Sequence, residues 1–212
     1  MISNKLKLTA ILLMTAVPLT LATYMFSVKV GHGFGATTNK GILISPILDI
    51  TSLDMRDEKG SLLFKTFEEE VAGISPQDYQ ARPWLLVFLG TQSCDSECED
   101  RLYYLRQLHR RLGKDEPRVN RYYLNAGQNP LDAGTQQMFA QKFPDMKVAY
   151  GDAQVILDNL ARTLRGNENP IQSHYIYVVD PVGNVMLYFT PENSPEDILS
   201  DLQKLLNQSS LG

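Results

Sequence analysis

The chain predicts an α/β fold, a mixed sheet flanked by helices, behind one N-terminal transmembrane helix. Three observations carry this. Trp84 to Leu89 is an apolar run without polar interruption that leads into the only two cysteines, Cys94 and Cys98, and then into an amphipathic segment. Strand-like and helix-like stretches alternate from there to Leu164. Tyr175 to Phe189 then reads as a β-hairpin followed by a well-signalled helix.

The N-terminus comes first in the chain. Leu8 to Val28 holds 21 residues with no charge between Lys7 and Lys29. A helix needs roughly 20 apolar residues to cross a bilayer, and Pro18 is tolerated there. A cleaved signal would need a shorter apolar core and a small-residue site, and Leu21-Ala22-Thr23 is a poor one. The expectation is a cytoplasmic tail at residues 1–7, an anchor at 8–28, an extended linker at 29–46 and a folded domain at 47–212. A short tail before a single span places that domain in the periplasm, an oxidising space, on the inner (cytoplasmic) membrane.

Of 212 residues, 43% are hydrophobic and 21% charged, enough for one domain with a real core. The formal net charge of -4 excludes nucleic acid as the main partner, since phosphate neutralisation needs clustered Lys and Arg. Two cysteines are too few for a disulfide-built scaffold, so the pair reads as functional.

Gly31 to Asn39, with His32, reads as a flexible spacer, and Gly41 to Ile50 as extended chain in which Pro46 blocks a helix. Asp57-Glu58-Lys59-Gly60 signals a turn, with a short strand at Leu62 to Phe64. Glu68-Glu69-Glu70 reads as a solvated face. Trp84 to Leu89 fits a strand buried on both faces. Leu102, Leu105, Leu108 and Leu112 recur at helical spacing until Gly113. Val119 to Leu124 is a second strand, Thr135 to Phe143 a helix stopped by Pro144, and Lys147 to Tyr150 a short strand. Asp152 caps a helix expected to run to Leu164. Tyr175 to Asp180 and Val185 to Phe189 form the hairpin around Pro181-Val182-Gly183-Asn184. Ser194-Pro195-Glu196-Asp197 opens the last helix with a cap, a proline and an acidic first turn. This order is the thioredoxin plan, with parallel strands from the helical connections and antiparallel ones from the hairpin.

Cys94 and Cys98 are spaced i and i+4, so a helix starting near Asp95 puts both thiols on one face of its first turn. A helix N-terminus favours thiolate. Asp95, Glu97, Glu99 and Asp100 oppose it by like charge. That setting suits a bound cation better than a fast nucleophile, and a three-residue spacer differs from the two-residue spacer of thiol oxidoreductases. Thiolates suit Cu(I), and the pair can also close as a disulfide. Met138, Met146 and Met186 read as core. Tyr103, Tyr104, Tyr122 and Tyr123 read as packing residues. His109 among Arg106, Arg110 and Arg111 reads as a solvated helix face, with docking of an acidic partner as the sharper alternative.

The run WLLVFLGTQSCDSEC, the helix after it and HYIYVVDPVGNVMLYF resemble the Sco/SenC family of membrane-anchored, thioredoxin-fold proteins of cytochrome c oxidase assembly. Asn39-Lys40-Gly41, the Arg101 to Gln107 stretch and Asp180 to Met186 add to the likeness with small anchored Sco-related proteins. The resemblance implies copper held by a C-x-x-x-C pair and a distant histidine. Cys94 and Cys98 match the pair, although the prolines that usually flank it are missing. Counted back from the Asp180-Pro181 turn, the histidine position falls on Gln172, and His174 lies two residues later. His174 is then the third copper ligand implied, on the same face of an extended strand. Three functions stay open. The first is copper binding and delivery to a cytochrome c oxidase subunit or another assembly factor. The second is thiol–disulfide exchange with Cys94 attacking and Cys98 resolving. The third is a non-catalytic scaffold with a structural pair.

Overall fold

Strand β3 (Trp84–Gly90) lies mid-sheet, and all seven of its residues are buried. Its uninterrupted apolar sequence follows from that position, because both faces need apolar side chains. The computed structural model describes residues 4–31, 38–51, 53–65, 72, 82–127, 129–164 and 168–209. They fall into two compact units, Met1–Thr38 and Asn39–Gly212. His32, most of the expected spacer and Glu68 to Glu70 lie outside the described residues.

The first unit contains α1 (Asn4–Gly31), a helix of 28 residues with Pro18 inside it. Ile11, Leu13, Met14, Val17 and Leu19 on it are exposed. Among the described residues no helix is long and apolar enough to cross a membrane. The helix expected over 8–28 is therefore present, and extends beyond that range, without being shown to be a span.

The second unit is built on a seven-stranded sheet. Its strands are β1 (Ile42–Asp49), β2 (Arg56–Asp57), β3, β4 (Val119–Asn125), β5 (Lys147–Tyr150), β6 (Ile176–Val179) and β7 (Asn184–Phe189), in the order β1-β7-β6-β3-β4-β5-β2. The β3–β4 and β4–β5 pairs are parallel, and the others are antiparallel. The helices are α2 (Ser96–Arg111), α3 (Ala133–Lys142), α4 (Ala153–Leu160) and α5 (Pro195–Gln208), with a 3-10 turn at Gly113–Arg118. This is the expected mixed sheet flanked by helices. Crossovers through α2 and α3 account for the parallel pairs.

Each face of the sheet carries its own core. Leu86 and Phe88 of β3 join Leu102 and Leu105 of α2, Phe139 of α3 and Leu202 of α5. Leu85, Val87 and Leu89 point the other way, onto Ile156 and Leu160 of α4 with Leu53 and Met55. Successive residues of a strand face opposite sides, so β3 feeds both cores.

Several expectations are corrected. Strand β1 starts at Ile42 and pairs with β7, so part of the stretch expected as an extended linker lies in the sheet. The Pro46 stretch interrupts that ladder, where the register shifts between Leu43 and Leu48. Helix α4 stops at Leu160 rather than Leu164. Leu62 makes an isolated bridge to Arg56 and no longer strand. Tyr103 and Tyr104 are exposed, whereas Tyr123 is fully buried. His109 is no solvated residue: its Nε2 lies 2.6 Å from the Val119 carbonyl, and its Nδ1 lies 3.4 Å from Glu116. The three methionines pack in or against the core, as expected.

Candidate redox and metal site

The chain leaves β3 at Gly90, turns through Thr91 to Cys94, and enters α2. Asp95 caps that helix, its carboxylate accepting the Cys98 backbone N–H at 2.9 Å. The cap satisfies one of the donors that a helix N-terminus leaves open. It also uses one of the acids beside the cysteines as a structural acceptor.

The turn is laced to the loop between β4 and α3. The Cys94 N–H donates to the Thr135 hydroxyl at 3.1 Å, and the Asp132 N–H to the Gln92 carbonyl at 2.8 Å. The Tyr123 hydroxyl donates to the Thr91 carbonyl at 2.7 Å. Burial pushes the Tyr123 phenol well above its ordinary range, and Asp132 and Asp95 add to this against the opposing hydrogen bond to Thr91. It therefore stays a donor. Thr135 is itself buried, at the start of a helix capped by Asp132. Sequence reasoning missed Thr135 and Tyr123 as supports of the turn. Asp132, three residues before Thr135, was the available cue, since it has the spacing of an N-cap.

Cys94 and Cys98 are joined in a disulfide with a Cα–Cα separation of 5.3 Å. Cys98 is 3% exposed, whereas Cys94 is partly exposed. A nucleophile reaching the bond from solvent therefore meets Cys94 first.

His174 stands across from the pair. Its ring stacks on Phe88 at 6.0 Å between centroids. Nε2 lies 3.7 Å from Asp95 and Nδ1 lies 3.5 Å from Glu97. The sequence placed His174 on an extended strand, but β6 begins at Ile176 and His174 takes a left-handed φ of 50°. Cys98, Gln172 and His174 nonetheless line one open pocket of about 230 Å³, with Phe88 and Ser93 in its wall. The two readings of the histidine position, Gln172 and His174, thus meet at one place.

Among the described residues no three His, Cys, Asp or Glu side chains are grouped to hold a metal ion. A disulfide offers no thiolate, so the oxidised pair cannot supply the soft ligands that copper takes. Reduced, Cys98 and the His174 imidazole are the right kind of donors on one pocket, with Cys94 next to Cys98 in the turn. The structure does not assemble them into a ready-made ligand set.

A family model described as transmembrane-like, thioredoxin-like, C-terminal domain matches residues 84–209. No curated protein matches the chain. Among solved structures, yeast Sco1 with copper bound is similar with a TM-score of 0.51 and 11% identity, over 82% of this chain and 96% of that one. A second yeast Sco1 structure gives 0.51 and 12%, over 80% and 98%. At such identities the likeness is one of fold. The matched segment runs from β3 through α5, so the chain belongs to the transmembrane-like, thioredoxin-like, C-terminal domain family, and its fold is the Sco-like thioredoxin fold.

Proposed function

We propose that this is a membrane-anchored protein that assists cytochrome c oxidase assembly by taking up and passing on Cu(I) through Cys94, Cys98 and His174. The observation that carries the reading is that Cys98 and His174 line one pocket while Cys94 is bonded to Cys98. Copper is cargo here. The disulfide must first be reduced by a dithiol, which delivers two electrons and two protons and leaves as a disulfide. Cu(I) binding then releases thiol protons. The acids around the pair favour a cation over a free thiolate.

The anchor belongs to this proposal. Helix α1 exposes Ile11, Leu13, Met14 and Leu19 along a stretch without charge, and water is a poor solvent for such a surface. In this proposal the main domain faces the periplasm from the inner membrane, where a copper-dependent partner subunit would meet it. Full-length protein should stay with the membrane pellet after an alkaline carbonate wash. Release into the supernatant would remove the anchor from the reading.

Copper binding is the first test. The reduced full chain should bind one equivalent of Cu(I), and the oxidised chain none. The double variant Cys94→Ser, Cys98→Ser sets the background, and reduced protein that binds no better than it ends the copper reading. His174→Ala should weaken binding on the order of tenfold or more with an unchanged circular dichroism spectrum.

One observation favours a second reading, thiol–disulfide exchange. The pair is a disulfide with Cys94 partly exposed and Cys98 buried, which suits attack by Cys94 and resolution by Cys98. Cys98→Ser should then trap a mixed disulfide through Cys94, visible on a non-reducing gel.

A further inference from the structure

Arg121 lies on β4 with its side chain on the α2 side of the sheet and is 4% exposed. A guanidinium keeps its charge and carries five N–H donors, so burying it demands acceptors. Among the described residues it has one ion pair, a long one of 3.9 Å from Nη2 to the exposed Asp145. Its Nη1 is buried without a hydrogen-bond partner, and so is Nε of the neighbouring Arg106. Burial pulls Arg121 below the ordinary guanidinium range; Asp145 opposes this, Arg106 and Arg110 add to it by like charge, and Glu116 opposes it more weakly.

Glu116, the other acid that acts on Arg121, is paired with His109. Arg106 itself spends one donor on the Lys142 carbonyl at 2.7 Å, which leaves Nε over. Arg121 therefore feels the like charge of Arg106 and Arg110 while its one ion pair is the loosely held Asp145, and one donor each of Arg121 and Arg106 is left unmet. Such an arrangement is unfavourable when empty and becomes favourable when an anion accepts from it.

We propose that Arg121, with Arg106 and Arg110 of the C-terminal half of α2, forms a binding site for a phosphate group, away from the cysteines at the helix N-terminus. Guanidinium forks match phosphate oxygens in charge and geometry. Asp145 is exposed and distant enough to swing aside for the ligand. The site does not depend on copper or on the redox state of the pair. The phosphate is either free or carried as a monoester, and the two sources share this chemistry.

The test titrates the full chain in detergent, disulfide intact, with inorganic phosphate and separately with glycerol phosphate, following amide shifts and calorimetric heat. Saturable binding, with shifts in β4 and the C-terminal half of α2, is expected for at least one of them. Tighter binding of the ester assigns the source to a phosphomonoester, and equal or weaker binding assigns it to free phosphate. Arg121→Gln should weaken binding roughly tenfold or more, and Arg110→Gln roughly threefold. Arg56→Gln, on the edge strand β2 and paired with Asp54, should change nothing. Arg110 is exposed, so its variant decides the matter if Arg121→Gln fails to fold. The proposal is overturned if chloride or acetate at equal ionic strength produces the same shifts, if neither phosphate saturates, or if Arg110→Gln binds as the wild type does.

Discussion

Gly90 ends β3 because nothing larger fits: a Cβ there would stand 2.3 Å from the Tyr123 hydroxyl. That hydroxyl holds the Thr91 carbonyl, so a glycine, a tyrosine and one carbonyl set the start of the cysteine turn. Gly90→Ala should displace the tyrosine, overpack the site and cost about 3 kcal/mol, read as a lower denaturant midpoint at unchanged slope. The Cys94 N–H depends on Thr135 in the same way. Thr135→Val keeps the shape, leaves that N–H unpaired and should cost about 2 kcal/mol. Isoleucine-sized packing is not at issue there, so a loss near zero by the same unfolding measurement would remove Thr135 from the supports of the turn. His174 is the residue that the Sco resemblance implied as third ligand on an extended strand, whereas in the structure a left-handed turn ahead of β6 holds it beside Asp95 and Glu97.

Elements start where their capping chemistry is written. Helix α5 has a complete capping box: the Ser194 hydroxyl accepts the Asp197 N–H, and the Asp197 carboxylate accepts the Ser194 N–H at 3.0 Å. The bonds from the Ser194 side chain and backbone hold the Asp197 carboxyl below its ordinary range. A depressed folded-state pKa contributes stability above the unfolded value and loses it as pH falls through the folded one. Asp197→Asn should therefore be less stable than the wild type near neutrality, and the gap should close as pH drops through the acid range. A pH series of thermal melts checks this, and a constant gap would contradict it. Element ends were harder to read. The pattern Val155, Ile156, Leu160 and Leu164 fits a helix to residue 164, yet α4 stops at Leu160. Periodicity reports which residues face a core, and Leu164 packs against one from outside the helix.

At the scale of the molecule, a single buried carboxylate joins the two ends of the folded unit. Asp201 on α5 is 1% exposed and accepts the backbone N–H groups of Lys40 and Gly41, with Lys204 beside it at 3.2 Å. Close approach at Gly41 is needed, since a Cβ there would meet Phe189 at 2.7 Å. Asp201→Ala removes the one oxygen that accepts both bonds and should cost about 3 kcal/mol, with faster proteolysis ahead of β1 as the second readout. This contact explains why the Asn39-Lys40-Gly41 stretch belongs with the domain, although its composition reads as linker.

The sequence by itself determined the plan of the sheet, because burial on both faces of β3 forces an unbroken apolar run and the helical connections force parallel pairs. It determined the helix caps at Asp152 and Ser194, because capping is local. It determined that Cys94 and Cys98 share a helical turn. Only the tertiary structure decided what depends on residues far apart in the chain. Strand β1 exists because β7 lies about 140 residues later with an open edge for it. The turn is fixed by Thr135 and Tyr123, and Arg121 is left with unmet donors by the packing of α2 over β4. The cysteine spacing permits a disulfide, two thiols or a metal. The disulfide was chosen by the geometry of the turn, and the pocket shared by Cys98, Gln172 and His174 by the loop that precedes β6. Local preferences are set within a few residues, whereas pockets and partners arise only when distant surfaces meet.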